Sequence, residues 1–305
     1  MEFTVSQIKE GSMPVVKLGG VSELDVHKTF DCGQCFRFDK IESSKHESEY
    51  SGIAFGKHVS FAQDGKDVYI YNSDIDEFEK IWRGYLCLDM DYSRVRESIL
   101  ECGKGTVIEA AADCGRGIRI LRQDAYEATV SFIISQNNNI PRIKKIIEAL
   151  SKRCGAPIEL QEEMQAHTTQ SSSLCAFPDA AALLELGEAG LYELKTGFRA
   201  KYIYDAVSRL AAGKLDLNAL ALLESTRDCI SALCEVKGIG EKVASCVSLF
   251  GMGRYDAFPV DVWIKRVAEK YFADDEMGFS PERFGKYAGI AQQYLFYYER
   301  YLQNQ

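Results

Sequence analysis

Lys242 and Asp261 are the residues whose types and spacing point to covalent chemistry. The lysine lies on the first turn of an apolar helical pattern, and the aspartate follows 19 positions later, directly before another. A neutral amine can attack an electrophilic carbon, and a fixed carboxylate can stabilise positive charge developing there. Just before the lysine runs Val236-Lys-Gly-Ile-Gly240. Gly238 and Gly240 permit positive φ and let a phosphate approach the backbone. Free N–H groups at the start of the next helix, with the positive end of its dipole, attract that anion. They and loss of hydration also favour the neutral, nucleophilic form of Lys242. Carbonyls ending the preceding helix point the same way and suit a monovalent cation bridging to the phosphate.

The alternative is that Lys242 is one more phosphate contact. Asp261 argues against it. Its neighbours Phe258-Pro-Val260 and Val262-Trp263 are apolar, and it is placed to cap a helix beginning at Val262. Cys246, four residues after Lys242, shares its helix face. Nucleophile, carboxylate and phosphate grip together imply glycosidic-bond cleavage in a nucleic acid through a Schiff base.

Composition bounds this reading. The chain has 305 residues, 46% hydrophobic, enough for one large domain or two ordinary ones. No run of about 18 apolar residues offers a membrane-crossing helix, and residues 1–20 lack a signal-peptide pattern. Its ten cysteines are scattered, several within helical apolar patterns (Cys229, Cys234, Cys246), as in a reducing cytoplasm. The expected compartment is the cytoplasm, with nucleoid association in a bacterial host. Cys32-Gly-Gln-Cys35 lacks the second pair or histidines a zinc site needs. A net charge of −9 argues against a nonspecific nucleic-acid coat but leaves room for a backbone grip on a few phosphates.

Two kinds of element must position these groups. Residues 1–115 read as an antiparallel β-rich domain, with strand-like pieces at Val15–Leu18, Phe36–Phe38, Tyr50–Phe61 and Asp67–Tyr71, then a helix capped by Asp74. The glycine in Asp31-Cys-Gly-Gln-Cys-Phe-Arg37 suits a strand-start turn, or a close backbone approach to a ligand. Residues 116–305 read as helical. Asp124 and Glu127 form a capping box for a helix reaching Gln136. Three asparagines then precede Pro141, which starts the next helix. The amides exceed what two caps need. Residues 155–173 are polar and read as an exposed loop without function. Gly197-Phe-Arg199 is a helix-to-helix turn, with Phe198 either stacking on bases or filling a core. Ser280-Pro-Glu282 starts a last helix to about Leu302.

The hairpin at 233–246, Lys242 and Pro259-Val-Asp261 resemble the helix-hairpin-helix (HhH-GPD) DNA glycosylase superfamily. Five further segments resemble the 8-oxoguanine DNA glycosylase/AP lyases of the branch shared by eukaryotes and some prokaryotes. They are Gly33-Gln-Cys-Phe-Arg37, Gly117-Ile-Arg-Ile-Leu-Arg-Gln-Asp124, Ser131-Phe-Ile-Ile-Ser-Gln-Asn-Asn-Asn-Ile140, Gly197-Phe-Arg-Ala-Lys-Tyr202 and Tyr287-Ala-Gly-Ile-Ala-Gln-Gln-Tyr-Leu-Phe296. They run in family order over nearly the whole chain.

The resemblance implies an α+β chain, a TATA-binding-protein-like antiparallel sheet followed by a helical glycosylase domain. It implies a monomer acting on double-stranded DNA containing 8-oxoguanine, without membrane attachment. Lys242 would attack C1′ and Asp261 would stabilise the transition state. The carbonyl of Gly33 would accept the N7–H that 8-oxoguanine has and guanine lacks. Cys246 and Phe296 would sandwich the flipped base and Gln292 would read its Watson–Crick edge. Asn137 would fill the vacated space, Arg142 and Arg199 would hold the orphan cytosine, and Phe198 would act as a wedge. Carbonyls of Cys234, Val236 and Ile239 would hold the hairpin cation. No other cofactor is expected, and with no cysteine after Cys246 an iron–sulfur motif is missing. Two residues depart from the animal enzymes. Trp263 replaces a histidine near a phosphate, and Phe198 replaces a tyrosine. The rival readings are a helix-hairpin-helix glycosylase for an alkylated purine or oxidised pyrimidine, and a non-enzymatic DNA-binding module.

Overall fold

Strand formation starts earlier than the apolar alternation suggests. In the computed structural model, which describes residues 3–169, 174–273 and 278–303, a polar strand β1 (Thr4–Glu10) pairs with β2 (Met13–Gly19). As an edge strand exposed along most of its length, β1 needs no apolar face, so periodicity could not find it. The Tyr50–Phe61 run is a hairpin of β4 (Ser48–Ala54) and β5 (Lys57–Asp64), turning at Phe55 and Gly56 with φ of 51° and 71°. Positive φ at both turn residues matches the twist of the strands. With β3 (Phe38–Lys40) and β6 (Asp67–Tyr71) the order is β1-β2-β6-β5-β4-β3, every pair antiparallel. β3 begins at Phe38, two residues later than expected.

One face of the sheet buries Phe30, Phe38, Tyr50, Phe61, Trp82 and Tyr85. The opposite face is covered by a segment whose polar composition predicts an exposed loop. Residues 157–158 pair with 174–175 as a two-stranded ribbon, and Glu162–His167 form a 3₁₀ turn. Met164 is fully buried against Met13, Val15, Ala62 and Tyr71. The His167 ring stacks on Tyr71 at 3.9 Å, and its Nδ1 lies 2.6 Å from Glu49 Oε1. Leu160, Met164 and His167, scattered among polar residues, dock this segment, too few to make a pattern. Residues 170–173 of that expected loop lie outside the described residues.

The remaining described chain is mainly helical. Asp124 caps the helix Ala125–Ser135 through the Glu127 amide at 2.8 Å, as expected, but the Glu127 carboxylate faces Arg37 at 4.0 Å instead of closing the box. Residues 128–134 of this helix are all buried, so it is a central helix. Asn139 caps the helix Ile140–Cys154, with Pro141 in its first turn. The expected last helix is broken. Pro281–Tyr287 is a 3₁₀ segment interrupted at Gly285 (φ 58°), and Ser280 makes no capping bond. The α-helix proper spans Ala288–Gln303.

The seam between sheet and helices is the stretch after Gly117. Gly117 has φ of 91°, and a Cβ there would meet Asp25 Cβ at 2.6 Å. The Arg119 side chain is fully buried and donates to the carbonyls of Cys87 at 2.7 Å and Glu23 at 2.9 Å. Its guanidinium stacks on Tyr92. A buried guanidinium is tolerated because carbonyls and a ring face receive it.

Candidate active site

The hairpin begins with the helix Thr226–Cys234, capped by Ser225. The turn closes where the Ile239 amide donates to the Val236 carbonyl at 3.0 Å. Gly238 (φ 85°) lies against Tyr202, whose Cγ would be 2.2 Å from an added Cβ. Glycine is therefore required here for packing, whatever else the turn does. Gly240 differs. An added Cβ would meet nothing within 4 Å, so the space before it is open to a ligand. Gly240 heads the helix Glu241–Cys246 without a side-chain cap. Amides left without a cap at a helix start are acceptors' natural partners.

Lys242 follows, half-buried, with Nζ 5.8 Å from the centroid of the Phe132 ring. The Cys246 thiol is buried, and burial pushes its pKa up to about 11. The ammonium of Lys242 opposes that shift and the carboxylate of Asp261 adds to it. Asp261 caps the helix Val262–Tyr271, and its Oδ1 accepts from the amides of Trp263 and Ile264 at 3.0 Å each. Oδ1 alone serves the cap, and the bonds fix where the carboxylate points.

A second group comes from the chain's two ends. Gly33, with φ of 82°, sits where an added Cβ would lie 3.6 Å from Phe296 and 3.3 Å from Ile140. Trp263 meets Phe296 edge-on at 6.3 Å, 78° between planes, which ties the aspartate-capped helix to the aromatic. Gln292 is buried and its Oε1 has no hydrogen-bond partner. Such an acceptor costs about 1–3 kcal/mol in an empty site and is repaid when a ligand donates to it.

The expected duplex contacts form a third cluster. Asn137 is exposed with φ of 46°. Arg199 is not presented outward as its expected role would suggest. It is 3% exposed and donates to the carbonyls of Gln136, Asn137 (2.9 Å) and Thr196 (3.1 Å). Phe198, half-exposed, lies on the same guanidinium at 4.4 Å. Burial, and then the nearby charge of Arg142, lower the pKa of Arg199. Of the two arginines, the exposed Arg142 is the freer.

Sequence reasoning missed the residues that hold this arrangement. Gln34, fully buried, donates to the carbonyls of Thr29 and Arg119 and accepts from the Leu121 amide, each at 2.8 Å. Gln293 donates to the Cys32 carbonyl at 2.8 Å. Their only signal was adjacency to Gly33 and Gln292.

A family model described as "8-oxoguanine DNA glycosylase, N-terminal domain" matches residues 19–129. One described as "HhH-GPD superfamily base excision DNA repair protein" matches residues 130–282. The N-glycosylase/DNA lyase of Arabidopsis thaliana is 31% identical over 298 residues, spanning 90% of this chain and 77% of that protein. A probable N-glycosylase/DNA lyase of Methanothermobacter thermautotrophicus is 30% identical over 62% of this chain and 65% of that protein. The solved structure of the Clostridium acetobutylicum 8-oxoguanine glycosylase/lyase, bound to DNA with cytosine opposite 8-oxoguanine, matches with a TM-score of 0.86 and 36% identity. It covers 99% of this chain and all of that one. The chain belongs to the 8-oxoguanine DNA glycosylase family of the helix-hairpin-helix base-excision-repair superfamily.

Proposed function

We propose that this protein is a bifunctional 8-oxoguanine DNA glycosylase and AP lyase acting on duplex DNA. One observation carries the reading most directly. An amine stands on the first turn of the helix that the open Gly240 heads, and a carboxylate 19 residues on in sequence is aimed by two amides at the start of another.

Hairpin amides around Gly238 and Gly240 take a backbone phosphate. The damaged nucleotide leaves the stack, at a cost of a few kcal/mol. Phe296 and Cys246 enclose the base, Gln292 meets its Watson–Crick edge, and the Gly33 carbonyl accepts its N7–H. Asn137 fills the gap, with Phe198 as wedge. Arg142 and Arg199 favour cytosine opposite the lesion, Arg199 partly by shaping the Gln136–Asn137 loop.

The lone pair of Lys242 forms a bond to C1′ as the C1′–N9 bond breaks, and the departing base carries that electron pair and takes a proton. The carboxylate of Asp261 stabilises the positive charge spread over C1′ and the ring oxygen. Ring opening leaves a protonated Schiff base. Loss of a proton from C2′ then expels the 3′ phosphate and cuts the strand. Cys234, Val236 and Ile239 supply neutral carbonyl oxygens, a donor set suited to a monovalent cation that would neutralise phosphate charge at the hairpin.

Borohydride reduction tests this directly. Wild-type protein mixed with an 8-oxoguanine:cytosine duplex is expected to give a covalent adduct that Lys242→Gln abolishes. Intact DNA binding with no adduct would refute the enzymatic reading. An adduct only with other lesions would move the substrate.

A further inference from the structure

We propose that Gln293 is a positioning residue for lesion discrimination. Through the Cys32 carbonyl it holds the loop that presents the Gly33 carbonyl to the base, a role resting on the reading of Gly33 given above.

The N7 of guanine accepts a hydrogen bond in the unmodified base. A carbonyl that distinguishes a lesion bearing N7–H must therefore be held in direction. Gly33 cannot hold itself. It is a glycine at φ 82°, in the loop between the helix Val26–Asp31 and β3, and it lacks a side chain to limit its freedom. The constraint comes from its neighbours. The Cys32 carbonyl, in the peptide joining residues 32 and 33, accepts from Gln293 Nε2 at 2.8 Å in a buried bond. The Gln34 carbonyl, in the peptide joining 34 and 35, accepts from Gln123 Nε2 at 2.7 Å. The Gln34 side chain is itself held by buried bonds to Thr29, Arg119 and Leu121. The 33–34 peptide, whose oxygen is the Gly33 carbonyl, lies between these two fixed planes. Among the described residues no group donates to that oxygen.

Gln293 directly follows Gln292 on the helix Ala288–Gln303. Consecutive helical side chains diverge by about 100°, so one helix carries the reader of the base edge and the anchor of the lesion-reading loop. Phe296, one turn on, lies beside Gly33 from the same helix. Any movement of this helix carries both recognition elements together. Packing alone does not require an amide here. Gln293 is 3% exposed, and burying a carboxamide is unfavourable unless it is hydrogen-bonded. Methionine would fill similar space without that cost.

Gln293→Met removes the donor and keeps the length, and Gln293→Ala removes both. Two rates are compared for each, base release from an 8-oxoguanine:cytosine duplex and strand cleavage at a preformed abasic site. In a Lys242→Gln background, the affinity ratio between 8-oxoguanine:cytosine and guanine:cytosine duplexes is also measured. For Gln293→Met, base release is expected to fall about ten- to hundred-fold, cleavage at the abasic site to stay within about two-fold of wild type, and the affinity ratio to shrink. Parallel loss of both rates would make Gln293 merely structural and overturn the proposal. Unchanged base release would overturn it as well. Wild-type protein that releases no 8-oxoguanine would sink the functional reading first, an outcome seen before any substitution is made.

Discussion

Gly33 lies beside Phe296, although nearly the whole length of the chain separates them. A Cβ built on Gly33 would lie 3.6 Å from Phe296 and 3.3 Å from Ile140, at a backbone φ of 82°. This brings the turn after the first helix beside the last helix, and the positive φ together with the end of Ile140 disfavours a side chain there.

Gly33→Ala is therefore expected to fail in recognition more than in folding. The strained backbone costs about 1–3 kcal/mol, and the methyl group crowds the end of Ile140 while resting against the ring meant to stack on the base. Base release should fall at least about ten-fold, while cleavage of abasic DNA persists. Equal loss of both activities would show that the turn serves stability only.

Arg199 makes a different prediction. Its guanidinium holds three carbonyls at once, two of them in the asparagine loop. Arg199→Ala is expected to narrow the preference for cytosine over adenine opposite the lesion and to destabilise the fold by about 1–3 kcal/mol. Arg199→Lys should not rescue either effect, because an ammonium lacks the planar fork. Excision opposite cytosine and adenine in the wild-type ratio would contradict the assigned role.

Glu127 predicts a pH dependence. Burial raises its carboxyl pKa to about 7, with Arg37 opposing. A carboxyl whose folded pKa exceeds its unfolded value of 4.5 contributes stability fully below pH 4.5, and that contribution is lost as pH rises through about 7. Glu127→Gln mimics the protonated form. The stability of wild type relative to this variant should fall by about 1–3 kcal/mol between pH 4.5 and 8, measured by urea unfolding at both ends. A constant difference would show that Glu127 is ionised throughout.

The local signals were the reliable ones. Asp124, the asparagine run before Pro141 and Asp261 were legible as helix starts, because capping satisfies amides within three residues of the cap. Gly238 was legible as a turn glycine, but its packing against Tyr202 was not. The Ser280-Pro281 signal misled. Its cap bond is not made, and the chain breaks at Gly285 before the helix starts. The docked segment at 157–168 was invisible because its anchors, Met164 and His167, find partners about a hundred or more residues away in β2, β4 and β6.

By itself the sequence determined the chemistry on offer: an amine at a helix start, a carboxylate at another, and a glycine hairpin between two apolar patterns. Each depends on backbone geometry within a few residues, which residue type controls. Only the tertiary structure decided which groups meet. It set Gly33 against Phe296, turned Gln293 toward Cys32 and drew Arg199 into the asparagine loop. Such contacts arise from how whole helices and a sheet pack, and no local periodicity records the partner that packing will bring.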